Sequence, residues 1–138
     1  MLSRNQQVQV RATVRGRPFV DREAVRSFLA SLEHPLYYLD FETCYAAIPL
    51  FNHSRPYQQI PFQFSLHVVE RPGAKPCHHL FLADDAADPR EKFIMQLKPL
   101  LGACGSIVAF NASFEKQRLQ ECAELFPRHK TWLEQIER

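Results

Sequence analysis

Three carboxylates in this 138-residue chain have the types and spacing of a metal site. Asp40 and Glu42 lie in Leu36-Tyr37-Tyr38-Leu39-Asp40-Phe41-Glu42-Thr43, and Glu115 lies in Asn111-Ala112-Ser113-Phe114-Glu115. The first run has the composition of an apolar strand. Side chains of a strand alternate between faces, so Asp40 and Glu42 share one face while Tyr37, Leu39 and Phe41 take the other. Two neighbouring anions beside apolar residues repel and lose solvation, a cost that a proton or a bound cation relieves. Oxygen ligands of this kind suit Mg²⁺ or Mn²⁺.

The elements that must position these acids can be read in chain order. Residues 7–14, Gln-Val-Gln-Val-Arg-Ala-Thr-Val, alternate and are expected to be an edge strand or a linker. From Asp21, a candidate cap, Ala24, Val25, Phe28, Leu29 and Leu32 recur at helical spacing, and the helix should stop near His34-Pro35. The acid-bearing strand follows. A loop from Cys44 to Pro56 leads to a second strand, residues 59–69, in which Phe62, Phe64, Leu66 and Val68 alternate with Gln63, Ser65 and His67. After the turn Arg71-Pro72-Gly73-Ala74, residues 77–83 return as a third strand, giving an antiparallel meander. Asp88-Pro89-Arg90-Glu91 predicts a capped helix start, with Phe93, Ile94, Leu97 and Leu101 on its apolar face and a stop at Gly102. Ser106 to Phe110 then reads as a short buried strand of the parallel type, and Asn111 opens a helix that ends by Pro127. Residues 131–138 begin one more helical pattern. If the fourth strand lies parallel to the first, Glu115 in the first turn of its helix converges with Asp40 and Glu42.

Composition bounds the answer. The length suits one domain, and an apolar fraction of 46% with eleven Phe excludes a disordered chain. No apolar run approaches the roughly 20 residues of a membrane span, and the first residues lack a signal-peptide core, so a cytoplasmic location without membrane partners is expected. Cys44, Cys77, Cys104 and Cys122 are scattered and are expected to be free thiols. Net charge is +2, but the first thirty residues carry six Arg against two acids, 6 − 2 = +4, leaving −2 for the rest. Residues 1–20 are therefore read as a basic arm or linker and 21–138 as the folded domain.

The two acid motifs resemble those of the DnaQ-like, DEDD-type 3'-5' exonucleases, whose first motif matches Asp40-Phe41-Glu42-Thr43 and whose second matches Asn111-Ala112-Ser113-Phe114-Glu115. Together with Arg55-Pro56-Tyr57-Gln58-Gln59-Ile60-Pro61-Phe62-Gln63-Phe64-Ser65-Leu66-His67 and Gly105-Ser106-Ile107-Val108, the pattern is similar to an uncharacterised bacterial domain family assigned to that superfamily. The resemblance implies an α/β, ribonuclease H-like fold and hydrolysis of nucleic-acid phosphodiesters with two Mg²⁺ or Mn²⁺ ions. It implies Asp40, Glu42 and Glu115 as catalytic metal ligands. Thr43, Leu50, Phe51 and Asn111 would bind the 3' end of single-stranded DNA or RNA, with Leu50 or Phe51 against the base. For Asn111 taken alone, capping its helix is the simpler role. Glu115 stands where most relatives have Asp. The family's final carboxylate, often preceded by His or Tyr on a later helix, has no counterpart in residues 1–138, and His129 lacks a following Asp at suitable spacing. The chain is thus expected to be part of a larger polypeptide, weak or inactive as a nuclease alone, with an uncovered sheet surface open to self-association.

Two other readings remain. One is a non-catalytic nucleic-acid-binding or protein-interaction module on the same scaffold, since fold does not fix function. The other takes the acids as a glycosidase pair, for which the sequence offers no sugar platform. His67, His78 and His79 read as ordinary strand residues, and Gln58 and Gln63 as either substrate readers or structural donors.

Overall fold

The computed structural model describes residues 1–84 and 86–136, which fall into two compact units, Met1–Leu32 and Glu33–Arg138. The first unit holds helices α1 (Arg4–Arg15) and α2 (Arg22–Ala30). The second holds β1 (Leu36–Cys44), β2 (Ile60–Val69), β3 (Cys77–Leu82), α3 (Arg90–Leu97), β4 (Ser106–Val108), α4 (Ala112–Leu125) and α5 (Lys130–Ile136). Among the described residues, no helix is long and apolar enough to cross a membrane.

The first unit corrects the strand expected at 7–14, because α1 occupies that stretch. Val8, Val10 and Val14 alternate by chance of composition, but the local end signals are helical. Ser3 and Gln6 close a capping box, with Ser3 N donating to Gln6 Oε1 at 2.8 Å and Gln6 N donating to Ser3 Oγ at 3.3 Å. Gly16, at φ 59°, ends the helix in the left-handed conformation that glycine adopts without strain. Asp21 caps α2 as expected, its carboxylate accepting from Ala24 N at 3.0 Å. That helix stops at Ala30, short of the proline.

In the second unit the sheet order is β3-β2-β1-β4, with the meander antiparallel and β4 parallel to β1. One face is packed. Tyr37, Leu39 and Phe41 of β1 join Phe64, Leu66 and Val68 of β2 and Phe81 of β3 against Phe93, Ile94 and Leu97 of α3, Leu119 and Cys122 of α4 and Leu133 of α5. Phe93 sits edge-on to Phe41, Phe64 and Phe81, with ring centroids 4.9, 5.5 and 6.1 Å away. The other face is open. Tyr38, Asp40 and Glu42 lie on it in register with His67, Ser65 and Gln63 of β2 and with His78, Leu80 and Leu82 of β3. Leu80 and Leu82 are 68% and 54% exposed, so this face keeps apolar surface in solvent. His67 and His78 stack at 4.2 Å, and His78 Nε2 meets Ser65 Oγ at 3.0 Å, so both are ordinary strand histidines.

Three further expectations are corrected. Asp88 makes the expected contact at the start of the helix, accepting from Arg90 N at 3.1 Å and also from the Arg90 guanidinium, but the expected capping box does not form, because Glu91 pairs with Arg128. The helix also gives way to a 3₁₀ turn at Lys98–Leu100, since Pro99 has no N–H for the α-helical ladder. The short strand expected at 106–110 stops at Val108 and is not buried. Among the described residues β4 pairs only with β1, through three residues, leaving Ile107 37% exposed and Phe110 wholly exposed beyond it.

Candidate functional site

β1 carries the first two acids to the open sheet face. Asp40 and Glu42 are both exposed, while Leu39 and Phe41 between and beside them are 4% and 5% exposed, which fixes the strand's orientation. The register with β2 slips between Glu42 and Thr43: Glu42 faces Gln63, Thr43 faces Pro61, and Phe62 is the extra residue. Such a bulge bends the strand and re-aims the side chains after it. Thr43, half-buried, sits at that bend, where β1 turns into the 45–59 loop.

The third acid arrives from the other edge. β4 runs parallel to β1, with Leu36 opposite Ser106 and Tyr38 opposite Val108, and α4 starts four residues later. Glu115 lies in the first turn of α4 and is only 6% exposed. Its Oε2 is buried without a hydrogen-bond partner. Burial pushes its carboxyl above the usual range; a hydrogen bond from its own backbone N–H opposes this, and the nearby charge of Asp40 adds to it. Asp40 and Glu115 are therefore brought within electrostatic reach of each other, and Glu42 follows Asp40 on the same strand face. Among the described residues, no three His, Cys, Asp or Glu side chains form a group that could hold a metal ion.

The expected nucleotide contacts are placed less uniformly. Leu50, 63% exposed, lines a shallow depression with Cys44, Tyr45, Pro49, Arg55 and Ile60. Phe51 is half-buried in a turn closed by Ser54, whose Oγ donates to Phe51 O at 2.6 Å. Asn111 stands at the N-cap position of α4 but makes no side-chain cap; its Oδ1 accepts from Ser113 Oγ at 2.8 Å. The capping role is thus corrected, and the exposed Asn111 amide faces solvent at the start of α4.

A polar brace that sequence reading missed holds the 45–59 loop to α4. Arg118, 6% exposed, donates to Gln59 Oε1 at 2.6 Å and to Glu121 Oε1 at 3.0 Å, and its guanidinium lies over the Phe114 ring at 5.1 Å. Gln58 Nε2 donates to Glu121 Oε2 at 3.1 Å, which gives this glutamine a structural role. A second buried cation, Arg90, reaches from α3 to Asn52 O at 2.8 Å while gripping Asp88. The signal was present in the spacing: Glu115, Arg118 and Glu121 recur every three residues and so share one side of the helix. Arginine is the suited residue, because its planar fork can satisfy several acceptors at once.

No curated protein and no solved structure matches the chain. The family model described as "Domain of unknown function (DUF2779)" matches residues 37–138, from β1 to the C-terminal end, and the chain belongs to that family.

Proposed function

We propose that residues 33–138 form a metal-dependent nuclease domain of the ribonuclease H-like, DEDD exonuclease type, acting on the 3' end of single-stranded DNA or RNA. The observation that carries this reading is Glu115, a carboxylate held out of solvent with one oxygen unpartnered and a second carboxylate, Asp40, close enough to raise its pKa. Such a group is costly unless it is protonated or met by a cation. The donors are all oxygens, which fits Mg²⁺ or Mn²⁺ and not a soft metal. Divalent ions bound there would supply an activated water and neutralise charge on the phosphodiester.

In this reading Asp40, Glu42 and Glu115 hold the ions. Thr43, at the bulge, and the loop braced by Arg118 fix the path of the terminal nucleotide, with Leu50 or Phe51 against its base and Asn111 offering an amide from the start of α4. Bracing matters because misplacement of substrate by about 1 Å can cost on the order of 100-fold in rate.

The test is a Mn²⁺ titration followed by paramagnetic broadening of backbone NMR signals. Broadening centred on residues 40–42 and 115, saturable and abolished by Glu115→Gln, is expected. An even, non-saturating loss of signal over the whole chain would remove the metal site and leave the non-catalytic scaffold reading. Because residues 1–138 offer no counterpart of the family's final carboxylate, hydrolysis of labelled single-stranded DNA or RNA in Mn²⁺ is expected to be weak or absent, and any residual 3'-end cleavage should be lost in Asp40→Asn.

A further inference from the structure

The N-terminal unit lies outside the family match, and neither of its helices has a buried residue. Its first helix has an unusual charge pattern. The first twenty residues contain Arg4, Arg11, Arg15 and Arg17 and no Asp or Glu, a balance of 4 − 0 = +4. At about 100° per residue, the steps of seven and four from Arg4 to Arg11 to Arg15 place these three within about 40° of one another. They form a single row about 16 Å long at a rise of 1.5 Å per residue. All three are exposed, and none makes an ion pair among the described residues.

That arrangement suits the helix only in part: Arg15, in the last turn, is favoured by the macrodipole, but two effects oppose it. Arg11 and Arg15 are like charges four apart, which repel on one face. Arg4 sits in the first turn, where the macrodipole favours an acid and α1 has none. The helix nonetheless has a complete capping box and a glycine stop, so the row is held in place by the ends of α1 and not by counter-charges within it. An external polyanion is the group that would relieve the repulsion.

We propose that the Arg4–Arg11–Arg15 row of α1 binds the phosphate backbone of nucleic acid without regard to sequence. Of the nine other residues of α1, Gln7 lies about 60° from the row and is the polar side chain nearest to it, whereas Gln9 and Thr13 lie on the far side of the helix. An anionic membrane is the less suitable partner. Helices that lie in the lipid interface bury Trp, Phe or Leu, whereas the only aliphatic side chains of α1 are Val8, Val10, Ala12 and Val14. The inference stands on α1 alone and does not require the carboxylate site.

The experiment uses the whole 138-residue chain with chelator present, so that neither outcome bears on metal binding or hydrolysis. Anisotropy of a labelled single-stranded oligonucleotide and of a duplex is followed through a series of KCl concentrations. Binding is expected to weaken with salt. In Arg4→Gln/Arg11→Gln/Arg15→Gln the slope of log K against log salt should become shallower by about 2 for the single strand and by nearly 3 for the duplex, from three lost phosphate contacts. The corresponding triple Lys variant should keep the original slope. Circular dichroism checks that α1 persists, glutamine being a comparable helix former. No binding by the parent chain, an unchanged slope in the glutamine variant, or binding to phosphatidylserine vesicles without binding to either oligonucleotide would overturn the proposal.

Discussion

Gly105 is the position where backbone geometry most directly controls the site. It precedes β4 at φ +96°, in a region that side-chain-bearing residues rarely enter. A methyl group built there would lie 2.2 Å from Pro35 O, 3.0 Å from Pro35 N and 3.1 Å from Pro35 C, the first more than 1 Å inside van der Waals contact (about 3.5 Å). Gly105→Ala therefore meets two costs. The strained backbone costs about 1–3 kcal/mol. Moving Pro35 away costs a further 1–3 kcal/mol or so. Movement also loosens the link that seats β4: Ser106 N donates to Glu33 O at 2.8 Å and to Pro35 O at 3.0 Å, and Glu33 N donates to Ser106 Oγ at 2.9 Å. Each such bond is worth about 1 kcal/mol net. With one such bond lost the expected destabilisation is about 3–7 kcal/mol, a large part of the 5–15 kcal/mol typical of a domain.

Gly73 supplies the control. It also has a positive φ, +76°, but nothing lies within 4 Å of an added methyl. Gly73→Ala should therefore show only the backbone component, about 1–2 kcal/mol. Urea unfolding of the two variants, compared at constant m, isolates the clash with Pro35. Because β4 sets where α4 starts, Gly105→Ala should also weaken the expected Mn²⁺ response at Glu115, whereas Gly73→Ala should not. Equal destabilisation by the two substitutions would refute the argument that close approach to Pro35, and not φ alone, requires glycine at 105.

Two more outcomes follow from the buried titratable groups. Burial pushes the Cys122 thiol up to about 12, so in the native state a thiol reagent should label exposed Cys77 and Cys104 quickly and Cys122 only after unfolding; mass spectrometry of the timed adducts checks this. His129 is pushed below its ordinary 6.5 chiefly by burial, with the charges of Arg128 and Lys98 adding to the shift and Glu91 opposing it. Its contribution to stability is full above pH 6.5 and is lost as pH falls through 6.5 toward its lower folded value. Glu115 has the opposite sign: its raised pKa means stability is gained as pH falls from the folded value to the ordinary 4.5. Relative to the parent, urea midpoints measured from pH 7.5 to 5 should therefore fall less on the acid side in His129→Gln and fall more in Glu115→Gln.

The order of elements was legible because strong local signals agreed with one another. Alternation in β1 and β2, the Arg71–Ala74 turn and the apolar helical stripe of α3 all pointed to a meander followed by a crossover. The failures have specific causes. At α1 the period-two valines competed with Ser3-x-x-Gln6 and Gly16, and the end signals prevailed. At Ser106–Phe110 an apolar run suggested burial, but a run cannot reveal that its strand will be an edge with one neighbour. The brace of Arg118 with Gln59 and Glu121 depends on pairs 59 and three residues apart, of which only the second is visible as spacing.

The three carboxylates also turn out to be physically unequal. Asp40 and Glu42 point from β1 into solvent, where water screens their mutual repulsion, and an Asp-x-Glu strand of this kind needs no partner. Glu115 has no such relief, since its unpartnered Oε2 is enclosed and the nearest help from its own backbone is offset by burial and by Asp40. The demand for a proton or a cation thus comes from α4 and not from the strand motif. Of the two strand acids, only Asp40 acts on Glu115 through its charge. Under the proposed function, Glu115→Gln should therefore weaken divalent-ion binding more than Glu42→Gln, although Glu42 belongs to the more recognisable sequence motif.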